Sequence, residues 1–403
     1  MSSYKYSVYN SAKHSRRRSG GGGGGGRGRG GASRHGEYIN PARFVQAAKP
    51  RTVENAYQST HSFADFKINP VLKQNLTAKG FKTPSPIQDQ AIPLALEGHD
   101  VIGIADTGTG KTAAFALPIL NTLMERQQSK ALIVAPTREL AQQIEEECRS
   151  LGKGSHLSGA LLIGGSSMGN QLRALRARPR IVIGTPGRIK DHIERGTLPL
   201  QQFNLVVLDE VDRMLDMGFI NDVTSILNGL AEQRQSFFFS ATIDSKVQTL
   251  INRFSHDPKT VSVKNGDSSE HVNQDVVKFV GIGDKMDKLH EILIKDEVSK
   301  VIVFDETQRN VEKLSNELVA RGFSSDAIHG GKSQGQRQRA LANFKADKTK
   351  ILVATDVAAR GIDVSDISHV INYSQPHTYQ DYVHRIGRAG RAGKTGHALT
   401  FVN

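Results

Sequence analysis

A chain of 403 residues is long for one domain and comfortable for two, and 37% hydrophobic content without a Trp still allows sizeable cores. No apolar run approaches the roughly 18 residues of a membrane helix, the opening MSSYKYSVYN lacks the apolar stretch of a signal peptide, and the single cysteine, Cys148, excludes an internal disulfide and a thiolate zinc cluster; a soluble, cytoplasmic protein with no membrane partner is expected. The net charge of +13 is concentrated at the amino end, where residues 1–60 hold eleven Lys or Arg against only Glu37 and Glu54 and so carry +9 of it.

That end reads as a tail. Arg16, Arg17 and Arg18 lead into seven glycines, Gly20 to Gly26, and then into RGRGG at 27–31. Such a stretch cannot bury enough apolar surface to offset chain entropy, so residues 1–60 are expected to be a disordered basic tail. Arg-Gly stretches bind single-stranded nucleic acid through charge and guanidinium stacking, or they act as a solubilising linker; the composition fits both. Within the tail INPARFVQAA, residues 39–48, differs: Pro41 directly after Asn40 predicts a short helix over 40–48, able to dock on the body or on a partner.

From residue 61 helical periods alternate with short apolar runs: DVIGIAD (100–106), KALIVAP (130–136), GALLIGG (159–165), RIVIGTP (180–186), NLVVLDE (204–210) and SFFFSAT (236–242). This is the pattern of a parallel sheet wrapped by helices on both faces. It stops at the polar, turn-rich SVKNGDSSEHVN (262–273) and resumes with VIVFDE (301–306), SDAIHG (325–330), KILVATD (350–356), HVINYS (369–374) and GHALTFV (396–402). Two tandem α/β domains are expected, over 61–265 and 275–403, joined by a linker at 266–274. The sequence ends just after the last run, so no carboxyl-terminal appendage is expected. Cys148 reads as a small residue on a helix face.

ADTGTGKT (105–112) lies between a strand and a helix. There the backbone N–H groups of Thr107, Gly108, Thr109 and Gly110 can wrap a triphosphate, Lys111 can neutralise its β and γ phosphates, and the Thr112 hydroxyl can ligate Mg²⁺. The strict pattern has Gly where this chain has Ala105. VVLDEVDRML (206–215) is an apolar strand running into Asp209, Glu210 and Asp212. Beside a phosphate loop the strand-end Asp209 is assigned to the metal, and Glu210 is placed to orient or deprotonate the attacking water. In GFKTPSPIQ (80–88) the Gln88 amide can accept from adenine N6 and donate to N7, which guanine cannot match, and Phe81 can stack on the base.

Taken together, ADTGTGKT, PTREL (136–140), Gly164-Gly165, TPGR (185–188), DEVD (209–212), SAT (240–242), ATDVAARGID (354–363) and HRIGRAGR (384–391) resemble a DEAD-box RNA helicase. With GFKTPSPIQ and Phe63, seventeen residues before Gly80, the resemblance covers nearly everything from 61 to 403. It implies two RecA-like domains, ATP and Mg²⁺ as cofactors, and RNA, single-stranded or short duplex, as partner. It further implies Phe63 at the ATP site, Asp363 on the ribose, and Arg388 and Arg391 as arginine fingers. Asp212, Ser240, Thr242, Arg360 and His384 would couple that site to RNA. Arg138, Gly165, Thr185, Arg188 and Thr355 would grip the sugar-phosphate backbone, with little base preference, and Gln334 and Arg337 would contribute from the second domain. One departure stands out: Val211 occupies a position where the family usually has Ala, which bears on local packing but removes no ligand.

The function expected on this basis is ATP-dependent unwinding of short RNA duplexes or remodelling of ribonucleoprotein, by a monomer with ribonucleoprotein or RNA-processing partners. The alternative is an ATP-gated RNA clamp with slow turnover. A DNA helicase would be distinguished by equal ATPase stimulation by DNA and RNA.

Overall fold

The computed structural model describes residues 39–48, 57–106, 108–263, 272–359, 364, 366–390 and 395–403. The Gly/Arg-rich stretch therefore lies outside the described residues, as do Thr107, Arg360, Asp363 and Arg391.

The apolar runs of the first half form parallel strands: β1 (Val101–Ala105), β2 (Ala131–Val134), β3 (Gly159–Leu162), β4 (Ile181–Gly184), β5 (Leu205–Leu208) and β6 (Gln235–Ser240). With β7 (Lys259–Val263) they make one sheet in the order β3-β4-β2-β5-β6-β1-β7. Near-continuous apolarity is required because both faces are covered. Leu205 and Val207 of β5 enter one core with Ile133, Phe237 and Phe239, while Val206 and Leu208 enter the other with Leu132, Val134 and Phe238. Helices α1 (Pro70–Ala78), α2 (Pro86–Leu96), α3 (Lys111–Glu125) and α4 (Arg138–Leu151) cover the first core. Beyond α5 (Met168–Arg176), the second core is covered by α6 (Pro186–Glu194), α7 (Val211–Asp216), α8 (Ile220–Asn228) and α9 (Ser245–Phe254). Burial of each of the three Phe rings of β6 stabilises this domain by roughly 1.5–3 kcal/mol.

The second half repeats the plan. Strands β8 (Val272–Lys278), β9 (Val301–Phe304), β10 (Ser325–Ile328), β11 (Ile351–Ala354), β12 (His369–Asn372) and β13 (Gly396–Val402) form a parallel sheet ordered β10-β11-β9-β12-β13-β8. Its helices are α10 (Gly281–Leu293), α11 (Gln308–Ala320), α12 (Gln334–Lys345), α13 (Asp356–Ala359) and α14 (Tyr379–Ile386). The tandem doubly wound architecture is thus present. Two strands, β7 and β8, lie beyond the expected runs and cut into the stretch read as turn-rich; each closes one edge of its sheet. Among the described residues no helix is long and apolar enough to cross a membrane.

Residues 39–48 precede the first domain in sequence but pack on the second. Asn40 caps a single 3-10 turn, Pro41–Phe44, through its side-chain oxygen, which accepts from the Ala42 N–H at 3.0 Å. The chain then extends, and the helix expected over 40–48 goes no further, because the next donors are spent on β8. The Gln46 N–H donates to the Gln274 carbonyl at 3.0 Å, the Gln274 N–H returns a bond of 2.8 Å, and the Ala48 N–H donates to the Asn273 side-chain oxygen at 2.8 Å. Phe44 is fully buried with its ring 4.7 Å from that of Tyr382, and the Arg43 guanidinium lies 3.7 Å above the ring of Tyr379. Phe44→Ala is expected to lower stability by about 3–5 kcal/mol, as for other fully buried rings. Thermal unfolding compared with the intact protein checks this; a midpoint shift of less than a degree would show the contact to be dispensable.

Candidate active site

Apart from GFKTPSPIQ, which joins α1 to α2, the motifs of the first domain sit at the carboxyl ends of strands, where ligands bind in open α/β sheets. The strand order sorts them. PTREL follows β2, Gly164-Gly165 follows β3 and TPGR follows β4, three adjacent strands on one side of the sheet. ADTGTGKT follows β1, DEVD follows β5 and SAT follows β6, three adjacent strands on the other.

On that second side a cavity of 510 Å³ is lined by Gly108, Gly110, Lys111, Thr112, Asp209, Glu210, Gln88, Phe81 and, from the second domain, Arg388. Gly110 holds a left-handed φ of +92° at the N-terminus of α3. A side chain there would collide with Gln88, its Cβ falling 2.3 Å from the amide nitrogen, so both backbone and space demand glycine. The Lys111 ammonium is buried and donates to the Ala105 carbonyl at 2.8 Å, while the Thr109 hydroxyl donates to the Asp106 carbonyl.

The DEVD turn is strained in a way its sequence does not announce. Glu210 has φ +52°, a left-handed conformation rare for a residue with a side chain and concentrated at functional sites. Burial pushes the Asp209 carboxyl up to about 7, with Lys111 pulling against it and the Glu210 charge adding to it. For Glu210 burial acts in the same direction but is outweighed by the Arg213 guanidinium, with Lys111 and Arg388, so its carboxyl is held below the usual range. Arg213 donates directly to Glu210, one turn along α7. The oxygen donors facing the cavity, the Asp209 carboxylate and the Thr112 hydroxyl, are of the hard type that Mg²⁺ prefers, and a cation there would favour the ionised form of Asp209.

Asp212 turns the other way, into SAT. Its Oδ2 accepts from the Ala241 N–H (3.1 Å), the Thr242 N–H (2.9 Å) and the Thr242 hydroxyl (3.0 Å), and the Ser240 hydroxyl donates to the Thr242 carbonyl at 2.7 Å. Val211, fully buried in the second core among the Leu208, Met214 and Phe238 cluster, adds packing volume and faces no ligand position.

At the far end of the cavity the Gln88 amide is already engaged. Its oxygen accepts from the Ser85 N–H at 3.0 Å and its nitrogen donates to the Gly110 carbonyl at 3.1 Å. One lone pair and one N–H remain for a base, and the same side chain props the phosphate loop. Phe81 lines the cavity; Phe63 stands behind it, buried, with ring centroids 5.6 Å apart and planes at 85°. Asp89, next to Gln88, draws in the preceding segment, accepting from the Tyr57 hydroxyl (2.5 Å) and from the Thr60 (2.8 Å) and His61 (3.0 Å) N–H groups. Asp89 belongs to none of the sequence motifs. Cys148 is buried, its thiol pushed up to about 12 by desolvation, as a packing role requires.

On the other side of the sheet Arg138 begins α4, capped by the Thr137 hydroxyl, which accepts from the Leu140 N–H at 3.2 Å. Gly165 has φ +79°, and a Cβ there would come within 2.5 Å of Arg138. Thr185 stands at the N-terminal boundary of α6 without a side-chain capping bond, and Arg188 donates to the Ser166 carbonyl at 3.3 Å, so Arg138, Gly165, Thr185 and Arg188 share one surface.

Among the described residues the second domain meets the first at two places. Arg388 enters the cavity wall, and a smaller space beside it is lined by Arg213, Asp356, His384, Arg385 and Arg388. Arg385, one of the HRIGRAGR cations, is a strut: it forms a bidentate pair with Asp356 (2.6 and 2.7 Å) and donates to Asn372 and the Ser374 carbonyl. Gln334 and Arg337 lie against the first domain, Gln334 donating to the Gln142 side chain at 3.1 Å and Arg337 2.7 Å from the buried carboxylate of Glu139. Thr355, buried, closes β11. Sequence reasoning missed Arg213, Glu139 and Asp356; the three-residue spacing of Glu210 and Arg213 was the one available signal, since it places both on one helical face.

The chain is similar to known proteins over most of its length. A family model described as DEAD/DEAH box helicase matches residues 85–250, and one described as helicase conserved C-terminal domain matches 284–393. The chain is 44% identical over 341 residues to the ATP-dependent RNA helicase CshA of Listeria monocytogenes, covering 84% of this chain and 66% of that protein. It is 44% identical over 344 residues to the DEAD-box ATP-dependent RNA helicase CshA of Bacillus licheniformis, covering 85% and 71%. It thus spans about two thirds of the length of these relatives. Among solved structures, S. cerevisiae Dbp5 bound to RNA and ADP BeF3 superposes with a TM-score of 0.75 at 31% identity, over 85% of this chain and 89% of that one.

Proposed function

The chain belongs to the DEAD-box family of ATP-dependent RNA helicases, and from that premise we propose that it hydrolyses ATP in a cycle that closes its two domains on RNA and then reopens them. The observation that carries this reading is the sorting of motif loops by strand order. One side of the first sheet faces a cavity for a triphosphate and the other a surface for a phosphodiester backbone, with Asp212 and SAT on the former side at the domain boundary.

In this reading Lys111 and the loop N–H groups of residues 107–110 hold the phosphates, Thr112 and Asp209 hold Mg²⁺, and Gln88 and Phe81 hold the adenine. When bound, Mg²⁺ supplies charge neutralisation along the phosphates. Glu210, kept ionised by Arg213, accepts a hydrogen bond from the attacking water and orients it. The water oxygen bonds to the γ-phosphorus as the bond to the β,γ-bridging oxygen breaks; ADP leaves with that electron pair, and the water's proton passes through Glu210 to the phosphate released. Arg388, joined by Arg391, meets the charge spreading over the γ-phosphoryl, and Asp363 contacts the ribose. Asp212, Ser240, Thr242, Arg360 and His384 link the site to RNA, which Arg138, Gly165, Thr185, Arg188 and Thr355 grip by its backbone. Gln334 and Arg337 act on RNA through closure, by seating against Gln142 and Glu139. Unwinding follows if the closed state bends one strand away from its partner.

The test is steady-state ATP turnover with no nucleic acid, with single-stranded RNA and with single-stranded DNA. RNA stimulation well above that by DNA is expected. Equal stimulation would make the protein a general nucleic-acid motor, and RNA held in ATP without phosphate release would make it a clamp.

Gln88→Ala is expected to weaken ATP use more than tenfold and GTP use far less, because the lost amide reads adenine; part of the loss common to both nucleotides reports release of the Gly110 carbonyl. Competition of the two nucleotides for the variant checks it, and a preserved preference for ATP would show that the base is read elsewhere.

A further inference from the structure

The loop carrying Gly164 and Gly165 and the helix carrying Thr185 and Arg188 come from different strands, yet both must hold one strand of RNA at the same time. Two buried polar side chains join them. Gln171, on α5, donates from its amide nitrogen to the Ile163 carbonyl at 3.0 Å and to the Ser166 carbonyl at 3.4 Å, spanning the glycine pair on either side. Its oxygen lies 3.2 Å from Nε2 of His192, on α6. Gln171 is 4% exposed and His192 not at all. Neither residue belongs to the motifs read from the sequence.

The bonding pattern fixes one proton position. The Gln171 nitrogen is committed to two carbonyls, so its oxygen must face His192, and Nε2 of His192 must carry a hydrogen to meet it. On the ring's other side Nδ1 lies 2.9 Å from the Thr197 hydroxyl, which is also 3.0 Å from the His192 carbonyl. Thr197 therefore fixes the ring from below while Gln171 is fixed from above. Leaving any of these groups buried and unpaired costs about 1–3 kcal/mol, so the ring, the amide and the loop carbonyls hold one another in a single arrangement.

We propose that His192 and Gln171 are positioning residues for RNA, a brace that sets the Gly164-Gly165 loop at a fixed distance from the α6 N-terminus so that both reach successive phosphates of one strand. This rests on the assignment of Gly165, Thr185 and Arg188 to the RNA backbone. A loop held this way does not have to be ordered when RNA arrives, and the entropy of ordering it is spent in folding.

The measurement is the affinity of the full chain for a single-stranded RNA in the presence of a non-hydrolysable ATP analogue, with amide hydrogen exchange of residues 163–167 alongside. Gln171→Glu keeps an oxygen for His192 but sets a second oxygen against the Ile163 and Ser166 carbonyls. It is expected to weaken RNA binding about tenfold, equivalent to one lost hydrogen bond, and to speed exchange in the loop. His192→Leu should do the same, whereas His192→Gln, which restores an N–H near the Nε2 position, should recover most of both. A Gln171→Glu protein that folds, binds RNA within twofold of intact and keeps slow loop exchange overturns the proposal, as does a His192→Gln protein no better than His192→Leu. Arg188→Ala separates the two levels. If it weakens RNA while the brace variants do not, only the brace is wrong; if neither does, the RNA face itself is misassigned.

Discussion

Glu210→Gln holds ATP and RNA together while phosphate release falls by about a hundredfold or more. The amide keeps the shape of the carboxylate and can still bond a water, but it carries no charge and accepts no proton, and general-base catalysis contributes on the order of 10²–10⁴. The surroundings of Glu210 sharpen the expectation. The residue is buried, bent into a left-handed turn and bound to Arg213, so the substitution also leaves a guanidinium without its counter-charge. Reopening requires hydrolysis, so RNA dissociation in excess ATP and Mg²⁺ should slow in parallel and multiple-turnover unwinding should cease. Rapid-quench phosphate release and RNA dissociation, variant against intact, measure both. Phosphate released at the intact rate would remove Glu210 from the chemistry.

Arg388→Ala is the second large effect. Its guanidinium reaches the first domain's cavity from the end of α14, and its field adds to that of Lys111 on Glu210. A donor that joins the site only when the domains meet stabilises the transition state and leaves the ground state nearly alone; in other nucleotide hydrolases such a finger contributes roughly 10³–10⁵. RNA-stimulated turnover should fall by about a thousandfold, with ATP affinity changed less than tenfold. Arg388→Lys should recover little, because a compact ammonium cannot span two phosphate oxygens as a planar fork does. Full activity in Arg388→Lys would reduce the role of Arg388 to plain positive charge.

The candidate site was legible as a cluster of motifs because phosphate handling constrains sequence tightly. Glycines at 108 and 110, Lys111, and carboxylates at a strand end have few substitutes, and the alternation of apolar runs with helical periods follows from sheets covered on both faces. What escaped the sequence was set by partners far along the chain. KTVSV and VNQDVVK are edge strands in which polar residues interrupt the apolar ones, so no continuous apolar run marked β7 or β8. Arg337 reads as a second-domain contributor to RNA binding, and its position against Glu139 of the first domain was not legible. Gln171 and His192 were invisible for the same reason: a buried amide and imidazole acquire a role only through the carbonyls and hydroxyl they meet. Asn40 and Pro41 correctly marked the start of a helical turn, but the edge of β8 ended it after four residues.

The docking of residues 39–48 on the second domain sets an order of events during synthesis. Ala48 leaves the ribosome 225 residues ahead of Asn273, its hydrogen-bond partner, and Phe44 further still ahead of Tyr382. At roughly 5–20 residues per second the segment waits tens of seconds for its seat. The first domain can complete its sheet in that interval, because all of its strands have emerged before β8 begins. Phe44 stays in water meanwhile, and its burial against Tyr382 closes a loop that contains the whole first domain, so this contact forms late. A nascent chain stalled before Tyr382 would keep Phe44 exposed as an unburied aromatic until its seat on the second domain is made.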